Sequence, residues 1–62
     1  MQSSKLIKLL KEDGWVVIRS SASSHHVLKK DGINKLISIS HPEKDVSRLQ
    51  LTQARRISGL NL

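Results

Sequence analysis

The sequence predicts an α+β domain of two layers: a helix, three antiparallel strands and a second helix, with both helices on one face of the sheet. Three observations carry this. Apolar residues recur at helical spacing near both ends of the chain, β-branched runs fill the middle, and glycine, proline or serine stands at the boundaries. With 62 residues the chain, 1–62, reads as a single domain without internal repeats. A domain of this size buries only about 60% of the surface its unfolded form exposes, so its core must be thin.

The first helix is expected from about Ser4 to Asp13. Ser3 and Ser4 supply an N-cap, Leu6, Ile7, Leu9 and Leu10 form one apolar face, and Lys5, Lys8 and Glu12 line the other. Gly14 stands where a left-handed residue ends a helix. Trp15–Arg19 is aromatic and β-branched and reads as a strand, broken by the small-residue run Ser20–Ser24. A second strand follows over His25–Lys30. Asp31-Gly32 is a hairpin signal, because glycine tolerates the positive φ of a tight turn. Lys35–Ser40 alternates with period two as a third strand, closed by Pro42, which cannot donate to a ladder. Ser47-Arg48-Leu49-Gln50 reads as a capping box, with the glutamine side chain reaching back to the cap. From there a helix should run to about Ser58 and stop at Gly59, with Leu51, Ala54, Ile57 and Leu60 toward the core.

Composition narrows the function. There is no cysteine, which excludes disulfides, zinc–thiolate sites and a thiol nucleophile. No signal peptide and no membrane-spanning apolar run is visible, so a cytoplasmic protein is expected. A core this thin leaves little room to enclose a small molecule, and no cofactor is expected. Eleven Lys/Arg against five Asp/Glu give a net charge of +6. The excess is spread evenly: six basic against three acidic residues up to Asp31, five against two beyond it. Such a surface favours a polyanion through counterion release, and it also serves solubility.

The chemistry-bearing side chains are His25, His26 and His41. Adjacent strand residues point to opposite faces, so His25 and His26 cannot share one metal ion, and only Glu43 and Asp45 lie close to His41 in sequence. No metal site is expected. Acid–base work needs less, since an imidazole offers both protonation states near neutral pH. RNA brings its own nucleophile, the ribose 2′-hydroxyl. A protein that grips the backbone and sets one imidazole beside that hydroxyl or the leaving oxygen cleaves it without a metal, with about 10²–10⁴-fold from the proton transfer. His25, where the serine run enters a strand, is the best placed. A nuclease and a non-catalytic RNA-binding module both satisfy this reading.

Several stretches, in order, resemble the HicA toxin family. Ser3-Ser4-Lys5-Leu6-Ile7-Lys8-Leu9-Leu10 leads to Asp13-Gly14-Trp15; Ser24-His25-His26 is similar to the family's Gly-Ser-His-His; His41-Pro42-Glu43-Lys44-Asp45-Val46 is similar to His-Pro-x-Lys-Asp-Leu; and Ser58-Gly59-Leu60 to its closing Ala-Gly-Leu. The resemblance covers nearly the whole chain. It implies a fold like a double-stranded-RNA-binding domain, a messenger-RNA endonuclease that halts translation, and a HicB antitoxin that covers the active face. It places catalysis on His25, the first histidine after the serine, with Ser24 as the preceding residue that orients the loop or bonds a phosphate. Lys29, Lys30 and Lys35 around the second hairpin, and Lys5 and Lys8 on the first helix, are the expected contacts to RNA phosphates. The chain departs from the family pattern in three places. Ser23 stands where the family has glycine, the Arg19–His25 loop is one residue longer, and Leu28 replaces an aromatic that would offer a base-stacking platform. These departures leave two alternatives: His26 takes the catalytic role, or the protein is a degenerate toxin retained for its antitoxin complex.

Overall fold

Two amphipathic helices lean on one face of a three-stranded antiparallel sheet of order β1-β2-β3. The computed structural model describes residues 1–20 and 25–62. Along the chain run α1 (Ser3–Glu12), β1 (Val16–Ser20), β2 (His25–Lys29), β3 (Ile37–Ser40) and α2 (Arg48–Ser58). This is the α-β-β-β-α order the sequence predicts.

The core forms where the apolar stripe of each helix meets the inward-facing residues of the sheet. Leu6, Ile7 and Leu10 of α1 are buried with Leu28, Ile37 and Ile39 of the sheet, Val46, and Ala54 of α2. Trp15 seals this core from just outside β1, 1% exposed. Leu51, Ile57 and Leu60 pack against it partly buried, as their helical spacing predicts. Leu28 is fully buried, which corrects one expectation. This position faces the core, so an aromatic there would pack between layers and stack on no base.

Helix ends follow their glycines more faithfully than their serines. Gly14, at φ +99°, turns the chain out of α1 while its N–H bonds the Lys11 carbonyl at 3.0 Å. Gly59 is left-handed after α2, and its N–H reaches the Arg55 carbonyl at 2.9 Å. At the start of α1, however, Gln2 holds the N-cap position without a side-chain bond. Ser3 lies inside the helix, and its hydroxyl serves a distant segment. That hydroxyl accepts the Glu43 N–H at 2.8 Å and meets His41 Nδ1 at 2.7 Å. Backbone bonds from the Ser3 N–H to the Glu43 carbonyl (3.0 Å) and from the Val46 N–H to the Met1 carbonyl (2.8 Å) complete the tie between the N-terminal segment and the β3–α2 connection.

The expected capping box is half present. Ser47 caps α2 by accepting the Gln50 N–H at 3.3 Å. The Gln50 side chain does not reach back to the cap; it bonds Ser40 instead, a difference with consequences below. The turn at Asp31-Gly32 is real, with the Ile33 N–H on the Lys30 carbonyl at 3.2 Å. It does not run directly into the ladder: pairing with β2 starts at Leu28↔Ile37, so β3 is shorter than the alternation suggests.

Candidate functional site

One face of the sheet carries the helices and the other carries no element of the chain among the described residues. Which side chains reach the open face follows from strand alternation and one irregularity. In β2, Leu28 is buried and His26 half-buried on the covered face, whereas His25, Val27 and Lys29 alternate onto the open one. In β3, Ile37 and Ile39 point inward and Ser38 outward. In β1, strict alternation from the half-buried Val17 would send Arg19 into the core. The register prevents this: Val17 pairs with Leu28 and Arg19 with Val27, leaving Ile18 as an extra residue, a β-bulge. Arg19 therefore stands on the open face beside Val27, exposed, between His25 and Lys29. Sequence reasoning missed it because a bulge is decided by pairing and leaves no mark in the residues. Val16 and Ile18, 61% and 53% exposed, give the same face an apolar border.

His25 is exposed, as a residue acting on an external polymer must be. His26, its neighbour, turns into a different environment. Its ring meets that of His41 edge-on, with centroids 4.8 Å apart and planes at 76°. His26 Nε2 lies 3.3 Å from the Ser20 hydroxyl, and its Nδ1 is buried without a hydrogen-bond partner among the described residues. His41 is in turn held at Nδ1 by Ser3. The Ser3 oxygen holds both the Glu43 N–H and the His41 ring, fixing the orientation of that ring against the start of α1. His26 and His41 thus form a packed pair that joins the sheet to the start of α1.

The expected phosphate contacts divide into three groups. Lys29 is exposed on the face of His25, one strand length away, about 13 Å at roughly 3.3 Å per residue. Lys30 is bound at 3.0 Å to the Asp13 carboxylate, and Lys35 is exposed in the β2–β3 connection, beside Leu36, Gln53, Arg56 and Ile57. Lys5 and Lys8 lie on the outer side of α1, and α1 covers the other face of the sheet, so they do not join His25. Ser24 lies outside the described residues. The other ion pair of the described residues joins the Met1 ammonium to Asp45 at 2.8 Å, and that hydrogen bond with its charge holds the Asp45 carboxyl below its usual range. Apart from Lys30, no Lys or Arg side chain among the described residues is in an ion pair. The positive field is therefore directed at solvent or a polyanion. No three His, Asp or Glu side chains of the described residues gather as a metal site, and no helix among them is long and apolar enough to cross a membrane.

Fold and site together define a small, basic α-β-β-β-α protein that presents a histidine among cations on an uncovered sheet. The family model for the HicA toxin of bacterial toxin–antitoxin systems matches residues 3–60. The chain belongs to the HicA toxin family. Among solved structures it is similar to a chain of the "HicA3 and HicB3 toxin-antitoxin complex", with 40% identity and a TM-score of 0.84 over 100% of this chain and 98% of that one. Among curated proteins nothing matches.

Proposed function

We propose that this chain is the toxin of a toxin–antitoxin pair and acts in the cytoplasm as a metal-independent endoribonuclease on messenger RNA, with His25 as its general acid/base. One observation carries the reading: His25 shares the uncovered sheet face with Arg19 and Lys29, so an RNA backbone drawn there by charge meets an imidazole. In the reaction His25 takes the proton of the ribose 2′-hydroxyl as its oxygen attacks the adjacent phosphorus. The bond to the 5′-oxygen breaks, and that oxygen receives a proton from the imidazolium. A 2′,3′-cyclic phosphate and a 5′-hydroxyl result. Arg19 and Lys29 hold successive phosphates on one side of the scissile bond, Lys35 extends the grip, and Ser24 orients the entry to β2. Lys30 contributes less because Asp13 engages it. Lys5 and Lys8 touch only an RNA that wraps around α1.

The partner is a HicB-type antitoxin. Its support is the family and the similar chain, whose structure is described as a complex of HicA3 with HicB3. An antitoxin seated on the open face would cover His25, Arg19 and the apolar border of Val16 and Ile18 together.

The test is cleavage of RNA by the purified chain, freed of any antitoxin. His25→Ala is expected to slow cleavage by about 10²–10⁴-fold with an unchanged thermal midpoint, and to relieve growth arrest on overexpression. Wild-type cleavage by the folded His25→Ala protein would falsify the assignment. Salt-dependent binding without new RNA ends, from the unaltered chain, would establish a binding module or a degenerate toxin instead.

A further inference from the structure

The Gln50 side chain, drawn away from its own helix cap, wraps the free edge of β3 and makes two hydrogen bonds to one residue. The Ser40 N–H donates to Gln50 Oε1 at 3.1 Å, and Gln50 Nε2 donates to the Ser40 hydroxyl at 2.9 Å. The backbone donor fixes which end of the amide is oxygen, and so fixes the second bond as one in which the hydroxyl accepts. Ser40 is the register partner of His25. Because its N–H is committed to Gln50 and not to β2, the two face each other as a non-hydrogen-bonded pair, the closer of the two kinds, with Cα atoms about 4.5 Å apart and side chains adjacent.

A hydroxyl that accepts from Gln50 has its single proton left to donate, and it stands next to His25. We infer that Ser40 is a substrate-contacting residue that donates a hydrogen bond to a non-bridging oxygen of the scissile phosphate, and that Gln50 is the positioning residue that turns its proton that way. The inference rests on the reading of His25 as the catalytic residue. As the phosphorus takes on its fifth oxygen, negative charge on the non-bridging oxygens rises, so a donor preset there lowers the barrier more than it tightens ground-state binding.

The experiment is single-turnover cleavage of an RNA oligonucleotide at saturating protein, with RNA affinity and thermal midpoint measured in parallel. Ser40→Ala is expected to slow cleavage by about 10²-fold while affinity changes by no more than about twofold. Ser40→Thr, which keeps a hydroxyl on a strand-compatible side chain, restores most of the rate. Gln50→Glu keeps an acceptor for the Ser40 N–H, but its carboxylate can only accept from the hydroxyl, so it turns the proton away from the face. It is expected to lose rate as Ser40→Ala does, and to add little in a Ser40→Ala background, which separates loss of the donor from an effect of the new charge. A folded Ser40→Ala or Gln50→Glu protein that cleaves at the wild-type rate, beside an inactive His25→Ala, overturns this inference alone. An active His25→Ala overturns the reading beneath it as well.

Discussion

His25 and His26 are consecutive in sequence and separated by the plane of the sheet. His25 stands exposed among the cations of the open face. His26 is half-buried, packed on His41 and tied through it to Ser3 and the N-terminus of α1. The same side chain is therefore placed in two kinds of surroundings, and the backbone alternation decides which. On the covered face an imidazole is a flat, polarisable filler whose ring nitrogens are difficult to satisfy. On the open face it is accessible to a polymer, and in the proposed reaction it carries the proton. Changes on the covered face should act through stability and changes on the open face through RNA.

The largest effect is expected at Leu28. It is fully buried, while Val27 beside it faces outward and only half-buried. Leu28→Ala should cost about 2–5 kcal/mol by lost transfer energy and the cavity left behind. A domain this size has only about 3–9 kcal/mol at roughly 0.05–0.15 kcal/mol per residue. Chemical or thermal denaturation should find Leu28→Ala largely unfolded or close to it, and Val27→Ala folded. Equal destabilisation of the two would mean that the faces are misassigned.

His26 tests the division more finely. His26→Ala removes the ring that packs on His41 and is expected to destabilise by about 1–3 kcal/mol, a drop of several degrees in thermal midpoint. His26→Phe keeps a ring of similar shape, removes a buried Nδ1 that has no partner among the described residues, and gives up the 3.3 Å bond to Ser20. Replacing an unsatisfied buried polar group by an apolar one of the same shape is close to neutral or stabilising. The Phe variant should melt at or above the wild-type temperature and retain cleavage. If it is folded and inactive, the catalytic role belongs to His26.

The order of elements was legible in the residues because each carries a local cause. Leu6, Ile7 and Leu10 repeat at helical spacing, Gly14 and Gly59 take the positive φ that ends a helix, and Ile37-Ser38-Ile39 alternates. The separation of His25 from His26 followed from the same alternation. What was not legible depends on contacts distant in sequence. Ser3 looks like a cap but spends its hydroxyl on Glu43 and His41, and Gln50 looks like half of a capping box but reaches Ser40. Each side chain had a local partner available and a tertiary one that proved better placed. The bulge at Ile18 belongs to the same class: it depends on how β1 pairs with β2, and it alone moves Arg19 from the covered face to the open one.

Arg19 and Lys8 make the most delicate comparison, since both are exposed cations of equal charge on opposite sides of the molecule. If the open face carries the RNA, removing a cation there removes one phosphate contact, whereas removing one on the outer side of α1 removes none. For single-stranded RNA the logarithm of affinity falls with the logarithm of salt concentration by about 0.7 per phosphate neutralised. Arg19→Ala should therefore reduce the magnitude of that slope by about 0.7, and Lys29→Ala should do the same. Lys8→Ala should leave it unchanged apart from a small uniform loss through the long-range field. The variants differ by one charge each, so net charge cannot produce the contrast. A slope that falls equally for Arg19→Ala and Lys8→Ala would mean that the RNA wraps the helix as well, and that the two faces are not divided in binding as they are in packing.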